Sequence, residues 1–259
     1  MKLYIIKIGG NIIDDEAKLA LFLQEFAAID APKILVHGGG KLATRMAAQL
    51  GLPQEMREGR RITDAATLQL VTMVYAGYIN KNIVSLLQSH GCNALGLTGA
   101  DGNAIKAHKR VVADIDYGFA GDVDSVNADF IHSMLEKHSL VFAPITHDGN
   151  GQLLNTNADT IAQELARAMS GQYDVRLIYC FEKKGVLLNA ADEESVIPHL
   201  TKTYFAQLQE QGIITAGMIP KLQNAFMAVQ AGVQSVTIGD AAQLSRLTEQ
   251  ASGTTIKNV

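Results

Sequence analysis

Twice near the amino terminus, a short apolar run ends in glycines and is followed by a helical pattern. The first run is Ile5-Ile6-Lys7-Ile8, which is followed by Gly9 and Gly10. The second covers residues 33–36 and is followed by His37 and by Gly38-Gly39-Gly40. Short apolar runs bounded by glycine are typical of strands buried on both faces of a parallel sheet. Strand, turn and helix in repetition therefore predict an α/β fold with a helix-covered sheet.

The two glycine turns also suggest a binding site. Glycine lets backbone N–H groups approach a ligand closely, and the amino end of a helix favours negative charge. Because the carboxyl ends of neighbouring parallel strands lie at one edge of a sheet, both turns would face the same space, which would suit a phosphate. The alternative is a merely flexible turn. Neither turn matches the P-loop pattern or the full GxGxxG pattern of a dinucleotide site.

Lys7 interrupts the first apolar run and has two interpretations. A lysine at this place either reaches solvent from the edge of the sheet or is kept there to bind an anion. Far downstream, Lys221 follows Pro220 in the first turn of a predicted helix. A cation at that end of a helix is slightly unfavourable, which indicates a recruited anion, although a solvated side chain would be unremarkable.

Polar residues outside the glycine turns add further candidates. Arg60 and Arg61 lie in a polar loop or hairpin and could simply be solvated. Asn155, Asn157 and Asp159 stand at the entrance of a predicted helix. Helix capping and turn formation could explain all three, but capping alone would use only one.

Composition limits the classes of function. Lys and Arg total 22 against 26 Asp and Glu, for a net charge of -4, and no block of one sign recommends a nucleic-acid or membrane partner. Hydrophobic residues make up 47%, enough for a sizeable core. Cys92 and Cys180 lack CxxC spacing and the chain begins directly on a strand, so we expect free thiols and a cytoplasmic location. We place a domain boundary near residue 172, where the composition changes.

Two glycine turns, two isolated lysines and an acid at a helix entrance together predict phosphoryl transfer. That reaction needs in-line positioning and positive charge around the migrating group, which lysines and backbone N–H groups supply. These residues do not identify the acceptor.

The sequence resembles the amino acid kinase family over essentially its full length, and within that family the acylglutamate kinase branch. The ordered motifs that carry this resemblance are Lys7-Ile8-Gly9-Gly10, His37-Gly38-Gly39-Gly40, Gly59-Arg60-Arg61-Ile62-Thr63, the run from Gly121 to Asn127, Asn155-Thr156-Asn157-Ala158-Asp159 and Gly217-Met218-Ile219-Pro220-Lys221. The resemblance implies a three-layer αβα sandwich around a mainly parallel sheet. It also implies an acylglutamate-binding and dimerisation lobe over residues 1–172 and an ATP-binding lobe over residues 173–259.

The resemblance further implies the reaction and the role of each site residue. The γ-phosphoryl group of ATP would pass to the γ-carboxylate of N-acetyl-L-glutamate, a step of arginine biosynthesis, and N-succinyl-L-glutamate is the alternative acceptor. Lys7 and Lys221 would neutralise the transferring group, and Asp159 would fix both lysines. The remaining assignments are Gly10 and Gly39 for the phosphoryl group, Gly39, Gly40, Arg61 and Asn155 for the acceptor, and Glu182, Gly185, Met218 and Lys221 for the nucleotide.

Magnesium would arrive with ATP and be held mainly by phosphates, so no protein metal site is expected. Glu182 stands where relatives usually have aspartate, Ala216 replaces a usual glycine and Pro220 is atypical, so the geometry around Lys221 could be shifted. These changes leave open a catalytically weakened ligand sensor on the same fold, whereas the missing GxGxxG pattern disfavours a Rossmann-type oxidoreductase. The chain also lacks the amino-terminal extension of arginine-inhibited hexameric members, so we expect a homodimer without arginine feedback.

Overall fold

The computed structural model describes residues 1–214 and 218–257. Its strands are β1 Lys2–Ile8, β2 Lys33–His37, β3 Met56–Arg57, β4 Arg60–Arg61, β5 Ala94–Leu97, β6 Ile105–Val112, β7 Ile115–Val126, β8 Ser139–Phe142, β9 Ile145–His147, β10 Leu153–Thr156, β11 Asp174–Phe181, β12 Ser235–Asp240 and β13 Thr254–Ile256. Its α-helices are α1 Gly10–Ile13, α2 Glu16–Ala27, α3 Gly40–Gln49, α4 Ala65–Thr72, α5 Asn80–Ser89, α6 Ala128–Leu135, α7 Ala158–Met169, α8 Lys202–Glu210, α9 Ile219–Gln230 and α10 Leu244–Thr248. The expected departures at Ala216 and at the side chain of Pro220 lie outside the described part of the chain.

The main sheet has seven strands in the order β13-β12-β11-β1-β2-β8-β5. Every neighbouring pair is parallel except β12 and β13. The first strand therefore lies inside the sheet, where Lys7 stands opposite Val36 of β2 and Tyr179 of β11. Since β11 begins at Asp174, both sides of the expected boundary near residue 172 contribute to one continuous sheet.

Helices cover both faces of this sheet, which confirms the predicted three-layer arrangement. Leu3 and Ile5 of β1 belong to one apolar core, together with residues of α7 and α9. Ile6 and Ile8 of the same strand belong to a second core, together with residues of α2 and α5. Alternate side chains of a strand point to opposite faces, so Lys7 lies on the face that α7 covers.

In the described part of the chain, two smaller sheets lie outside the main one. Strands β6, β7, β9 and β10 close into a small barrel, and β3 pairs with β4 in a hairpin. The barrel places Asn155 of β10 beside Ala120 of β7, and the hairpin carries Arg60 and Arg61. Both sheets thus bring polar residues towards the glycine turns.

Two sequence-based expectations about elements were wrong. The apolar spacing predicts one helix from residue 64 towards residue 78 and a second over residues 82–89, but a π-helical turn over Met73–Ile79 joins α4 to α5 without a break. The pattern also predicts a strand over residues 235–238 and a last helix from residue 241, but β13 follows that helix and pairs antiparallel with β12. Three residues are too few to show a strand period, which explains why β13 was missed. Among the described helices, none is long and apolar enough to cross a bilayer.

Candidate active site

The two glycine turns lie side by side at the carboxyl edge of the main sheet. Gly10 begins α1 directly after β1, and Gly39 immediately precedes α3 after β2. The N–H of Gly38 donates to the carbonyl of Ile8 at 3.1 Å, which joins one turn to the other. Because the first N–H groups of a helix have no partner within it, both turns present donors to the space above the sheet.

Gly39 is held in a conformation that only glycine adopts readily. Its φ is 150°, and a Cβ atom on it would lie 2.4 Å from Cδ1 of Ile79 and 3.0 Å from Cδ1 of Tyr75. Both neighbours belong to the π-helical turn that packs over this glycine. The second glycine turn is therefore a close-packed feature rather than a flexible connection.

Lys7 is buried and paired rather than exposed at an edge of the sheet. Only 8% of the residue is accessible, and its Nζ lies 2.7 Å from Oδ1 of Asp159. Asp159 is the second residue of α7, whose amino end is capped by Asn157. The Asn157 side chain accepts hydrogen bonds from the N–H groups of Asp159 and Thr160. The cap thus positions the carboxylate above the end of β1.

Lys221 meets Lys7 over one aromatic ring. Its Nζ lies 4.1 Å from the centroid of the Phe181 ring, and the Nζ of Lys7 lies 5.6 Å from the same point. Burial lowers the pKa of Lys221, and the positive charge of Lys7 lowers it further, whereas Asp159 opposes the shift. No carboxylate of the described residues lies within 4.0 Å of the Lys221 ammonium. Two cations thus lie close together with only one directly paired, which suits an anionic ligand.

A cleft of about 140 Å³ contains all four predicted acceptor-binding residues. They are Gly39, Gly40, Arg61 and Asn155. Arg61 is only 5% exposed, so it is not a solvated surface residue. Its guanidinium donates to the carbonyl of Gly40 and to Oγ1 of Thr44, both at 2.9 Å, and also to the Gln54 side chain. A fixed guanidinium beside a glycine turn can bind a carboxylate.

A larger cleft of about 590 Å³ contains the four predicted nucleotide-binding residues, Glu182, Gly185, Met218 and Lys221, and also Gly10. Half of its remaining lining residues are aliphatic, which suits a flat heterocyclic base. Glu182 is exposed and makes no ion pair with Lys221. The lining of this cleft also includes Phe181, at the end of β11, and Ile238 of β12.

A third cavity lies beside both clefts and contains two of the charged residues. Gly40 lines both the 140 Å³ and the 590 Å³ cleft. This third cavity, of about 800 Å³, is lined by Asp159, Phe181 and Lys221. It shares Lys221 with the 590 Å³ cleft and Asn157 with the 140 Å³ cleft. An anion that reached from one cleft to the other through this cavity would therefore pass beside Lys221. Within residues 1–214 and 218–257, no group of three His, Cys, Asp or Glu side chains could hold a metal ion.

Comparison with known proteins places this arrangement in a family. The model of the amino acid kinase family matches residues 2–240. The chain belongs to the amino acid kinase family. A protein of Phocaeicola vulgatus named acetylglutamate kinase is 55% identical over 99% of this chain and 98% of its own length. One of the same name from Bacteroides thetaiotaomicron is 56% identical over 92% of this chain and 93% of its own.

A solved structure shows the same fold at low sequence identity. Carbamate kinase from Giardia lamblia bound to AMP-PNP aligns with a TM-score of 0.70 and 15% identity, and the alignment covers 99% of each chain. At this level of identity the likeness concerns the fold alone. The mainly parallel αβα sandwich described above is therefore that of the amino acid kinase family.

Sequence reasoning missed two aromatic residues of this amino acid kinase site. Phe181 lies under both lysines, and the ring of Tyr75 packs over Gly39. Burial raises the pKa of Tyr75, while the neighbouring Arg61 opposes that shift. The position of Phe181 directly after the buried run of β11 was a signal that could have indicated its role. Tyr75 had no comparable signal, because it lies within an ordinary apolar helix pattern.

Proposed function

We propose that this protein transfers the γ-phosphoryl group of ATP to the γ-carboxylate of N-acetyl-L-glutamate. The product is an acyl phosphate, and the reaction serves arginine biosynthesis. The observation that carries the proposal is the meeting of Lys7 and Lys221 over Phe181, with Asp159 bound to Lys7 and with Lys221 lining the 590 Å³ cleft. The names of the relatives that match nearly the full chain supply the acceptor.

Charge compensation is the main task of the site in this proposal. Negative charge on the transferring phosphoryl group is shared by the Lys7 and Lys221 ammonium groups and by the N–H groups of Gly10 and Gly39. Asp159 orients Lys7 directly and acts on Lys221 through its charge. No general base is needed, because a carboxylate with a pKa of about 4.3 is already ionised near neutral pH.

The acceptor occupies the 140 Å³ cleft in this proposal. Arg61 binds the α-carboxylate, and Gly39, Gly40 and Asn155 hold the acylated amino group and direct the γ-carboxylate towards the lysines. The Asn155 amide donates to Oγ1 of Thr63 at 3.0 Å, which fixes one of its donors and leaves its carbonyl oxygen for a ligand. Thr63 in turn donates to the carbonyl of Arg61, so the two acceptor contacts are linked.

The nucleotide occupies the 590 Å³ cleft, with Glu182, Gly185, Met218 and Lys221 around it. Magnesium travels with ATP and is held by its phosphates and by water, where it neutralises the phosphate oxygens. Residues 1–172 then form the acylglutamate-binding and dimerisation lobe, and residues 173–259 form the ATP-binding lobe. The proposal includes a cytoplasmic homodimer.

One observation favours N-succinyl-L-glutamate as a second candidate acceptor. Arg60 lines both the acceptor cleft and the neighbouring 800 Å³ cavity, and it lies 3.8 Å from Oδ1 of Asp122. Arg110 already binds both carboxylate oxygens of Asp122, at 2.9 and 3.0 Å. Two guanidinium groups share one carboxylate, so a net positive charge is left that could bind a terminal carboxylate of the acyl group.

Hydroxamate trapping of the acyl phosphate tests the proposed reaction. The protein is incubated with MgATP, hydroxylamine and either N-acetyl- or N-succinylglutamate, and kcat/KM is compared. We expect hydroxamate to form together with ADP, with N-acetylglutamate the better acceptor. A preference for N-succinylglutamate that is lost in Arg60→Met would support the second candidate. Nucleotide binding without hydroxamate from either acid would contradict both and would favour a ligand sensor.

A further inference from the structure

A buried hydrogen-bond chain runs behind the second glycine turn and takes no direct part in the proposed reaction. His37, the last residue of β2, is fully buried, and Asn80 at the start of α5 is 1% exposed. Nδ1 of His37 lies 2.8 Å from the carbonyl oxygen of Gly38. The Asn80 amide nitrogen lies 3.3 Å from Nε2 of the same ring. The ring therefore connects a helix to the turn.

The orientation of the Asn80 amide is fixed by its other contacts. Its nitrogen also donates to the carbonyl of Val141 at 2.9 Å, and its oxygen accepts from Nζ of Lys81 at 3.1 Å. The side that faces His37 is therefore a donor, so Nε2 of the ring must accept. A neutral imidazole then carries its proton on Nδ1, where it donates to the carbonyl of Gly38.

The neutral state of His37 is maintained by its surroundings. Burial lowers its pKa to about 4, and the nearby charge of Lys81 acts in the same direction, although the hydrogen bond to Gly38 opposes both. No carboxylate in the described part of the chain forms an ion pair with this ring. The same tautomer therefore persists through the neutral pH range.

The hydrogen bond from His37 determines the direction of one particular N–H. In a planar trans peptide, the C=O of one residue and the N–H of the next point in opposite directions. Since the carbonyl of Gly38 points at the His37 ring, the N–H of Gly39 points away from it. No acceptor within the described residues receives that N–H. Among the described residues, the bond from His37 is therefore the one hydrogen bond that holds the Gly38–Gly39 peptide group itself.

The His37–Asn80 hydrogen-bond chain fits into the fold because β5 has a glycine beside it. A Cβ atom on Gly96 of β5 would lie 2.0 Å from Oδ1 of Asn80. Only a glycine at that strand position leaves room for the Asn80 amide beside the sheet. Lys81, which holds the Asn80 oxygen, also donates to the carbonyl of Gly96 at 3.1 Å.

We propose that Asn80 and His37 are positioning residues that hold the Gly38–Gly39 peptide so that the N–H of Gly39 faces the transferring phosphoryl group. Asn80 selects the tautomer of His37, and His37 holds the peptide. The proposal rests on the proposed function for the role of the Gly39 N–H, but the tautomer and the peptide orientation can be measured without any substrate.

Asn80→Leu tests the proposal, because it keeps the volume and removes the donor. Loss of a single preorganised N–H donor costs about 10²–10³ in kcat, and loss of its positioning alone should cost about 10–100-fold. We expect that fall in kcat for acyl phosphate formation, with the KM for ATP changed less than about threefold. Gln88→Leu is the matched control. The Gln88 side chain, also on α5, donates to the carbonyl of Ala94 in β5 at 3.1 Å, but it lies away from the second glycine turn. Gln88→Leu should keep wild-type kcat.

Nitrogen NMR of the His37 ring separates positioning from simple stability. The wild-type ring should show a protonated Nδ1 and an unprotonated Nε2 at neutral pH, and Asn80→Leu should show a mixture of tautomers and a broadened Gly39 amide signal. His37→Asn places an amide donor near the position of Nδ1 and should retain more kcat than His37→Leu. If Asn80→Leu does not fold, Lys81→Met is the substitute, because Lys81 is exposed and its loss removes one of the two contacts that orient the Asn80 amide. It should show a smaller loss of the same kind.

Two results would overturn the inference. One is a wild-type His37 with its proton on Nε2. The other is an Asn80→Leu protein that has lower thermal stability but unchanged kcat. If wild-type protein forms no acyl phosphate while the NMR results are as expected, the proposed function fails and the peptide restraint stands.

Discussion

Replacing Lys7 with methionine should remove most of the activity while leaving the protein folded. Methionine keeps the length of the side chain within β1 and removes the charge. Loss of a charged group that acts on the transition state costs about 10²–10³ in kcat, or about 3–4 kcal/mol in activation free energy. The KM for ATP and for the acceptor should change much less, because the charge acts chiefly after binding.

The effect on stability is expected to be small for a reason visible in the structure. The substitution breaks the 2.7 Å ion pair with Asp159, but it also removes a cation that is nine-tenths buried. About a third of the Asp159 side chain is exposed, at 31%, so water can solvate the carboxylate that remains. These opposing contributions should leave the free energy of unfolding within about 1 kcal/mol of wild type.

Lys33 provides a matched control, since it is another buried lysine in a neighbouring strand. It is 5% exposed, and its Nζ donates to the carbonyls of Ala27 and Ile29, at 2.8 and 2.7 Å, at the end of α2. Lys33→Met leaves both acceptors without that donor, so it should lower the free energy of unfolding by about 1–3 kcal/mol. Its kcat should remain that of wild type, because Lys33 lies at the opposite end of its strand from the glycine turn.

Urea unfolding and initial-rate kinetics on the three proteins form the assay. The two substitutions should affect different quantities. Lys7→Met should keep its stability and lose activity, whereas Lys33→Met should lose stability and keep its activity. If Lys7→Met retained kcat within about threefold of wild type while losing stability, Lys7 would be a structural residue like Lys33 and the proposed role would be refuted.

Three further predictions concern the glycine turn and its neighbours. Arg61→Lys loses the planar fork of donors, so the KM for the acceptor should rise about 10–100-fold with a smaller change in kcat, which initial-rate kinetics will show. Gly39→Ala places a Cβ 2.4 Å from Ile79 and should lower the free energy of unfolding, measured by urea titration, by about 2–4 kcal/mol. Gly59→Ala is the control: no described atom lies within 4 Å of its Cβ, and it should lower the free energy of unfolding by about 1 kcal/mol. The pKa of His37 falls from 6.5 in the unfolded chain to about 4 in the folded protein. Between pH 6.5 and pH 4 the unfolded state therefore binds more protons than the folded state. The free energy of unfolding should decrease by about 3 kcal/mol as the pH falls through this range. Unfolding curves of His37→Asn should lack that part of the pH dependence.

The periodic elements and their order could be predicted from the sequence. Short apolar runs that end in glycine identified β1 and β2, because a strand buried on both faces has no polar alternation and needs a turn residue at its end. The pairing of Lys7 with Asp159 could not be derived in this way. The two residues are far apart in the chain, and their contact depends on α7 crossing the face of the sheet from which Lys7 projects.

The parts that escaped prediction depend on packing rather than on pattern. The π-helical turn over Met73–Ile79 has no signal in the apolar spacing, yet it places Tyr75 and Ile79 against Gly39. From the sequence alone, Arg61 could equally have been a solvated surface residue. It is buried because it contacts Gly40 and Thr44, which belong to another element, α3. Tertiary contacts of this kind fix the site, and no local sequence window contains them.

The most direct test of the central claim is the rate of hydroxamate formation from N-acetylglutamate and MgATP, measured for wild-type protein and for Lys7→Met with ADP release recorded in parallel. We expect equal amounts of hydroxamate and ADP from wild type, and a rate at least about 100-fold lower from Lys7→Met. ADP release without hydroxamate, or an equal rate from both proteins, would contradict it.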